Sequence, residues 1–288
     1  MARQTKNYKN LRALSNYYFE ITKKWWAYTW YFKLAVFVIG LIAVFFPNIS
    51  IWITIIVGLI SLASEAANLY STYNKGKAES LLRKLDLQNS FGWEIKSIDV
   101  ADAVVSLPKK LQEKYQPTEE SDDYFASGEN VGHLRAAQNL QESAWWSKHL
   151  AKTMGHYCSV LTVFLVVISM FTLIISSIII SSSQLTNSHA EYMTSVNRII
   201  IAVFLLGISL GLLPLTINYY AFSTKAGDSE KTATEFLKSG VEDEIQTIKA
   251  FNEYHLARAS APLIPTKLWE NKKDCLNKAW EVFVANQR

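Results

Sequence analysis

Cysteine is scarce in this chain, with two residues, Cys158 and Cys275, among 288. Two widely separated cysteines are too few for the disulfide framework of a small secreted domain, and they lack the paired pattern of a structural zinc site. We therefore expect both thiols to be free.

Charge is absent from two long stretches, Tyr157–Ser183 and Ile199–Phe222, and from two shorter ones, Leu34–Phe46 and Ile51–Ser64. A helix rises about 1.5 Å per residue, so each long stretch exceeds the roughly 30 Å hydrocarbon core of a bilayer. None of the four stretches alternates with the period of two that a barrel strand requires. The pattern excludes a membrane β-barrel and predicts four membrane-spanning helices.

Positive charge is concentrated before the first apolar stretch, where seven basic residues accompany the single acidic residue Glu20. The two predicted connections, Pro47–Ser50 and Gln184–Arg198, contain only Glu191 and Arg198 as charged residues. Segments rich in Lys and Arg remain on the cytoplasmic side of a membrane. We therefore expect both termini and the central segment in the cytoplasm.

The predicted fold class is all-α, a polytopic membrane protein with two transmembrane helical hairpins and a cytoplasmic helical bundle. Gly227-Asp228-Ser229 predicts a helix break, and Pro262 and Pro265 predict the end of one helix before a final one. The predicted segments are a basic cytoplasmic arm, the first hairpin, a cytoplasmic helical segment, the second hairpin and cytoplasmic C-terminal helices, at residues 1–32, 33–72, 73–156, 157–222 and 223–288.

Two charges flank the first hairpin, Lys33 just before one span and Glu65 late in the other. Counted from the turn they lie at almost the same depth, so an antiparallel hairpin could pair them near the cytoplasmic edge. The alternative is that Lys33 extends to the interface and Glu65 marks the end of its span.

Hydroxyl side chains recur along the third span at Thr162, Ser169, Ser176 and Ser183, seven residues apart, with Thr172 alongside. This spacing places them on one stripe of an otherwise aliphatic helix. The stripe has two interpretations, the lining of a pore or close packing between helices through small residues and hydrogen bonds.

The fourth span contains Gly207 and Gly211, four residues apart, followed by Pro214. The glycines predict a face for helix packing. Pro214 predicts a kink, which could act as a hinge for gating or be only a bend.

The cytoplasmic segments carry nearly balanced charge, 11 basic and 12 acidic residues in 73–156 and 10 of each in 223–288. This balance does not predict a DNA-binding surface. Basic residues that could contact an anionic ligand are Arg135, Lys148, Arg258 and Lys267, although basic residues scattered on helices are usually solvated.

Catalytic and metal-binding patterns are absent from the sequence, which has no phosphate-binding glycine loop and no credible catalytic triad. Glu142, His149 and His156 recur every seven residues, two turns apart, which is too wide for direct ligands of one metal ion. We therefore predict a protein that is not an enzyme and needs no cofactor or metal.

Four short stretches of the cytoplasmic segments carry a resemblance to a known family: YFAS, NLQESAWWSK, APLIP and LNKAW, at 124–127, 139–148, 261–265 and 276–280. With the layout of two hairpins around a cytoplasmic segment, they resemble the SMODS- and SLOG-associating, or SLATT-like, four-transmembrane effectors of bacterial nucleotide-linked anti-phage systems. The resemblance implies an effector in the bacterial inner membrane that stays inactive until a cytoplasmic nucleotide-linked signal arrives.

Such an effector forms pores or disrupts the membrane, and infection ends in growth arrest or death. Its implied partners are the lipid bilayer, further copies of itself, and a cyclic nucleotide or a cytoplasmic nucleotide-sensing protein. A homo-oligomer is expected because one four-helix unit is too small to enclose a sizeable channel. The alternatives are a constitutive small ion or solute channel or transporter, and a non-conducting membrane scaffold.

Overall fold

The computed structural model describes residues 2–45, 50–105, 107, 109, 125, 127–182, 200, 203, 206–207, 210–239 and 244–286. Within these ranges the regular structure consists of helices, and no strand is present. The helices are α1 (Ala2–Phe45), α2 (Ser50–Phe91), α3 (Ser97–Val105), α4 (His133–Ser182), α5 (Leu212–Ser239), α6 (Glu244–Ser260) and α7 (Thr266–Ala285). The all-α prediction is confirmed for this part of the chain.

The chain divides into two compact units. The first, called here the bundle unit, comprises Met1–Lys23, Thr72–Thr153 and Asn218–Arg288. The second, called here the span unit, comprises Lys24–Ser71 and Met154–Ile217. Four helices, α1, α2, α4 and α5, contribute residues to both units without a break in the helix.

The bundle unit has an apolar core between α1, α2 and α3. Leu11 and Leu14 of α1 pack with Leu81 and Leu85 of α2, and partly buried side chains of α3 cover the cluster. These residues recur at helical spacing, so each helix buries one stripe. At Gly92, whose φ is 72°, α2 ends because this left-handed conformation suits glycine.

Polar contacts join α5 to α4 within the bundle unit. Gln141 donates to the Thr234 hydroxyl at 2.8 Å, and Ser223 donates to the backbone carbonyl of Lys148 at 3.0 Å. The predicted break at Gly227 is wrong, because α5 continues through it. Gly227 faces the Lys148 side chain, whose Cδ would lie 3.5 Å from an added Cβ, so the glycine serves close packing.

In the span unit, α1 and α2 pack through an antiparallel contact. Ser64 donates to the backbone carbonyl of Thr29 at 3.2 Å, and the rings of Trp25 and Tyr70 meet edge to face with centroids 5.0 Å apart. This register aligns Glu65 with the residues around Thr29.

Lys33 therefore lies about one helical turn away from the level of Glu65. Lys33 is half-buried and Glu65 is exposed, and within the described residues they form no ion pair. The predicted pairing assumed that depth could be counted from the turn. The register is instead set by small and aromatic side chains in the contact between the helices.

Three described helices are long and apolar enough to cross a membrane: Leu11–Ile42, Trp52–Phe91 and His133–Ile175. In the most apolar windows of these helices only 6%, 11% and 6% of the residues are buried. Large side chains such as Val163, Val167 and Phe171 of α4 are more than half exposed. A continuous apolar surface of this kind is typical of lipid contact, and we treat the chain as a membrane protein.

The predicted fourth span lies partly outside the described residues, and the connection Gln184–Arg198 lies wholly outside them. Where its second half is described, a turn at Leu210 and Gly211 precedes α5. Gly211 has a φ of 65°, and Pro214 lies in the first turn of α5, where proline is tolerated. The interruption in this region therefore lies at Gly211, before the proline that was expected to cause it.

Replacing both Val163 and Val167 with lysine should reduce membrane insertion. Each lysine at a helix centre in lipid costs about 2.5–3.5 kcal/mol, whereas exposed sites in water tolerate it. The measurement is the fraction of the expressed chain retained in membranes after alkaline carbonate extraction.

The matched control replaces Ile245 and Leu256 of α6, which are 77% and 62% exposed in the bundle unit, with lysine. This control should remain in the membrane fraction. Equal retention of both variants, or a wild-type chain recovered as a monomer without detergent, would contradict lipid contact by α4.

Candidate functional site: a charged clamp and an adjoining cavity

A buried charged cluster joins α2 to α6 in the bundle unit. Lys75, Glu79 and Asp86 follow one another on α2 at spacings of four and seven residues, which place them along one face of the helix. His255 and Arg258 lie one turn apart on α6 and face them. We call these five residues the α2–α6 clamp.

Arg258 is the centre of the clamp. Its Nε donates to Glu79 Oε2 at 2.8 Å, and both terminal nitrogens reach Asp86 Oδ2 at 3.4 Å. The side chains of Arg258, Glu79 and Asp86 are 15%, 8% and 4% exposed, so water screens the three charges little. Removing one partner of such a group lowers the free energy of unfolding by about 3–5 kcal/mol, because the remaining charge is left buried without a counter-charge.

Lys75 supports the same joint from the end of α6. Its Nζ donates to the backbone carbonyls of Ala259, at 2.7 Å, and Ala261, and lies 3.3 Å from that of Arg258. The last carbonyls of a helix have no partner within the helix and attract positive charge. Lys75 therefore caps α6 from α2.

Burial shifts the pKa of two clamp residues, Asp86 of α2 and His255 of α6, and both lie in the bundle unit rather than in the span unit. It raises the pKa of Asp86 to about 6, although Arg258 opposes this shift. Burial and the positive charge of Arg258 lower the pKa of His255 to about 2. His255 is thus neutral, with its Nε2 3.6 Å from Asp86 Oδ2. Asp86 Oδ1 and His255 Nδ1 are buried without a hydrogen-bond partner among the described residues.

Tyr254 extends the clamp to α4. Its hydroxyl is hydrogen-bonded to the Ser147 hydroxyl at 2.8 Å and donates to the backbone carbonyl of Ser143 at 3.0 Å. The guanidinium carbon of Arg258 lies 5.7 Å from the centre of the Tyr254 ring. Tyr254 and Arg258, one turn apart on α6, thus connect this helix to α4 and to α2.

A cavity of about 740 Å³ adjoins the clamp within the bundle unit. Its lining comes from α1, α2, α4, α6 and α7, and Glu79, Tyr254 and Arg258 belong to it. From α7 five residues line the cavity at spacings of three or four, which is one face of the helix: Thr266, Trp269, Lys273, Asn277 and Trp280.

Aromatic rings hold α7 against α4. Trp280 lies 5.3 Å from Trp145, and Phe283 lies 6.3 Å from it, measured between ring centroids. Trp145 is 5% exposed. α7 therefore contacts α4 near its C-terminal end, and its face with Trp269, Lys273 and Trp280 lines the cavity.

The four basic residues predicted as ligand contacts do not come together. Arg258 lines the cavity. Arg135 donates to Asn89 at 2.6 Å, and Lys148 pairs with Glu230 at 2.7 Å, so both serve contacts between helices. Lys267 is exposed at the start of α7 and does not line the cavity.

The sequence reasoning missed Trp146, Lys273 and the acidic residues of the clamp. The spacing of Trp269, Lys273 and Trp280 on the final helix was a usable signal for the cavity face. Glu79 and Asp86 could have been found as charges within the apolar face of α2 that contains Leu81, Leu82 and Leu85.

The hydroxyl stripe of the third span is described in part. Thr162 donates to the backbone carbonyl of Cys158 within its own helix at 2.7 Å. Ser169 is 1% exposed in the single chain, which favours packing at that position. The side chains of Thr172 and Ser176 lie outside what the structure describes.

The two glycines of the fourth span have different surroundings. A Cβ added at Gly207 would lie 3.6 Å from Leu165 of α4, a contact distance that fits helix packing. Around Gly211, by contrast, no atom of the described residues lies within 4 Å of an added Cβ. The packing face is therefore seen at Gly207, whereas Gly211 forms the turn before α5.

Comparison with protein-family models, with curated proteins and with solved structures finds no match to this chain.

Replacing Asp86 with asparagine should change how stability depends on pH. In the wild type, the folded state binds a proton at Asp86 between about pH 6 and 3.8, which stabilises the fold on acidification. His255 destabilises the fold as the pH falls below 6.5, because there only the unfolded state binds a proton at this residue. Without Asp86, the free energy of unfolding should fall by up to about 1.4 kcal/mol per pH unit below 6.5.

The measurement is urea unfolding of the full chain in detergent, followed by near-ultraviolet circular dichroism. The opposite control, His255→Gln, should become more stable between about pH 6 and 3.8. The other charged groups acting on the pair are unchanged in both variants: Arg12, Glu79, Arg83 and Arg258. Identical pH slopes for the two variants would contradict the assignment.

Proposed function

We propose that this protein is a membrane effector of bacterial anti-phage defence, which permeabilises the inner membrane when its bundle unit receives a nucleotide-linked signal. One observation carries the proposal: α2 bears both an exposed apolar stretch suited to lipid and the clamp carboxylates Glu79 and Asp86. A signal that acts on the clamp acts on a helix that continues into the membrane.

The clamp is the resting contact of this effector. A buried ion-pair group has a defined geometry while intact and becomes costly when one partner leaves. A ligand shifts such an equilibrium only if it binds one arrangement better than the other. In the resting state Arg258 holds α6 on α2, and in the active state that contact is released and α2 is free to rearrange.

The proposed arrangement has four spans in two hairpins, with both termini and the bundle unit in the cytoplasm and the basic N-terminal arm at the membrane surface. Permeabilisation is carried out by a homo-oligomer, because one chain has too few spans to enclose a channel. The hydroxyl stripe at Thr162, Ser169, Thr172 and Ser176 is the proposed lining of the open state. The resemblance of the cytoplasmic stretches to SLATT-like effectors supports the same role.

Opening the clamp by mutation should produce leakage without a signal. Arg258→Met leaves two carboxylates buried, so a combined variant, Glu79→Gln with Asp86→Asn and Arg258→Met, removes the charges together and avoids that penalty. We expect rapid loss of membrane potential and growth arrest on induction of either variant, measured with a potential-sensitive dye. Lys249→Met, an exposed change on α6, is the matched control and should remain tight.

Folding of the combined variant is checked by its size-exclusion profile and near-ultraviolet circular dichroism in detergent. A folded, membrane-inserted combined variant that leaks no more than Lys249→Met would contradict the clamp as a resting contact.

The pore lining is tested in the leaking variant by changing Ser169 and Ser176 to alanine. A pore lined by these hydroxyls should lose most of its ion conductance while the oligomer still assembles, measured by ion flux from loaded vesicles and by cross-linking. Unchanged flux would assign the stripe to helix packing. A folded and assembled protein that never leaks would instead favour the scaffold.

A further inference from the structure

The cavity beside the clamp is lined on one side by a helix that is only partly packed. Among the 20 residues of α7, all of which are described, only Leu268 is buried. Trp269, on the cavity face, is 41% exposed, whereas Trp145 at the point where α7 docks is 5% exposed. An indole left open within a folded unit is an unused apolar surface, and a ligand that covers it gains the corresponding burial.

Three indoles surround the same space, Trp146 from α4 with Trp269 and Trp280 from α7. Indole faces bind planar rings by stacking, and each stacked base contributes about 1–3 kcal/mol in proteins that bind single-stranded nucleic acid. Three of the chain's nine tryptophans line this one cavity. The cavity volume, about 740 Å³, suits a small molecule rather than a peptide helix.

Most charges around the cavity are already paired. Lys23 lies 2.8 Å from Glu20, Arg258 lies 2.8 Å from Glu79, and Glu142 also interacts within the chain. Lys273 differs from the other cations of the lining. Its ammonium lies 5.1 Å from the centre of the Trp269 ring, and no described carboxylate lies within 4 Å of it. The cavity thus combines the exposed indole of Trp269 and the partly buried indoles of Trp146 and Trp280 with an ammonium group that has no described carboxylate within 4 Å.

We infer that this cavity binds a small molecule that has a planar heteroaromatic ring and an anionic group, as a nucleotide has. The ring stacks on the indoles, and the anionic group pairs with Lys273. This inference rests on the proposed function, since it assigns the place where the signal is received. It also makes Lys273, rather than the predicted Lys267, the lysine of α7 that contacts the anionic group of the ligand.

The position of the cavity explains how such a ligand would act on the clamp. Arg258 and Glu79 are both clamp residues and lining residues. A ligand whose anionic group pairs with Lys273 therefore occupies the same cavity as the contact between Arg258 and Glu79. Binding acts on the joint between α2 and α6 by favouring one arrangement of these lining side chains over another.

The test is a titration of the purified full chain in detergent, followed by tryptophan fluorescence, with adenosine 5′-monophosphate as the probe. Adenosine supplies the ring without the charge, inorganic phosphate supplies the charge without the ring, and choline supplies a cation that stacks on indoles. We expect saturable quenching by the nucleotide, binding at least about fivefold weaker for adenosine, and none for phosphate or choline.

Variants locate the site. Lys273→Gln should weaken nucleotide binding about tenfold, because it removes a charge-assisted contact. Lys267→Gln, six residues earlier on the same helix and outside the cavity, is the matched control and should bind as the wild type does. Trp269→Phe, which keeps a smaller stacking surface, should weaken binding less than Trp269→Ala. Near-ultraviolet circular dichroism verifies that each variant is folded.

Three results would overturn the inference: no nucleotide binding up to millimolar concentration, equal loss in Lys273→Gln and Lys267→Gln, or tighter binding of choline than of the nucleotide. These outcomes are separate from a failure of the proposed function. A clamp variant that leaks while the nucleotide fails to bind refutes the cavity site alone. Nucleotide binding at Lys273 in a chain whose clamp variants never leak refutes the effector role alone.

Discussion

The contact between Arg258 and the two carboxylates of α2 is the interaction on which the account depends. An arginine that is 15% exposed and shared between Glu79 and Asp86 fixes α6 on α2 with a geometry that few other residue pairs could reproduce. Lys75, also a clamp residue, adds a further contact at the end of α6. Because the same α2 continues into an apolar stretch, the charged joint and the membrane-facing surface belong to one helix.

The long helices combine two kinds of surface along their length. In the bundle unit α4 buries Ala137, Leu140, Ala144 and Trp145, as a helix does in a water-soluble core. Farther along, from Tyr157 onward, large apolar side chains of the same helix are exposed, which water would not favour but lipid would. Along α4 the surroundings therefore change from a packed core to an exposed apolar surface within one continuous helix.

The sequence predicted those features that depend on local chemistry. The all-helical class, the long apolar helices and the separation of α6 from α7 around Pro262 and Pro265 follow from composition and backbone preference. The clamp was not predictable, because Glu79 and Arg258 are 179 positions apart and only the fold brings them together. Lys33 and Glu65 fail to pair for a related reason, since side-chain packing sets the helix register.

The most direct test of the central claim is hydrogen exchange along α2 in bilayer discs, comparing wild type with the variant that combines Glu79→Gln, Asp86→Asn and Arg258→Met. The account predicts that the amides of 75–91 lose protection together in the variant, because α6 no longer holds this part of α2. Unchanged protection of 75–91 in a folded variant would contradict it, since α2 would then be held in place without the clamp.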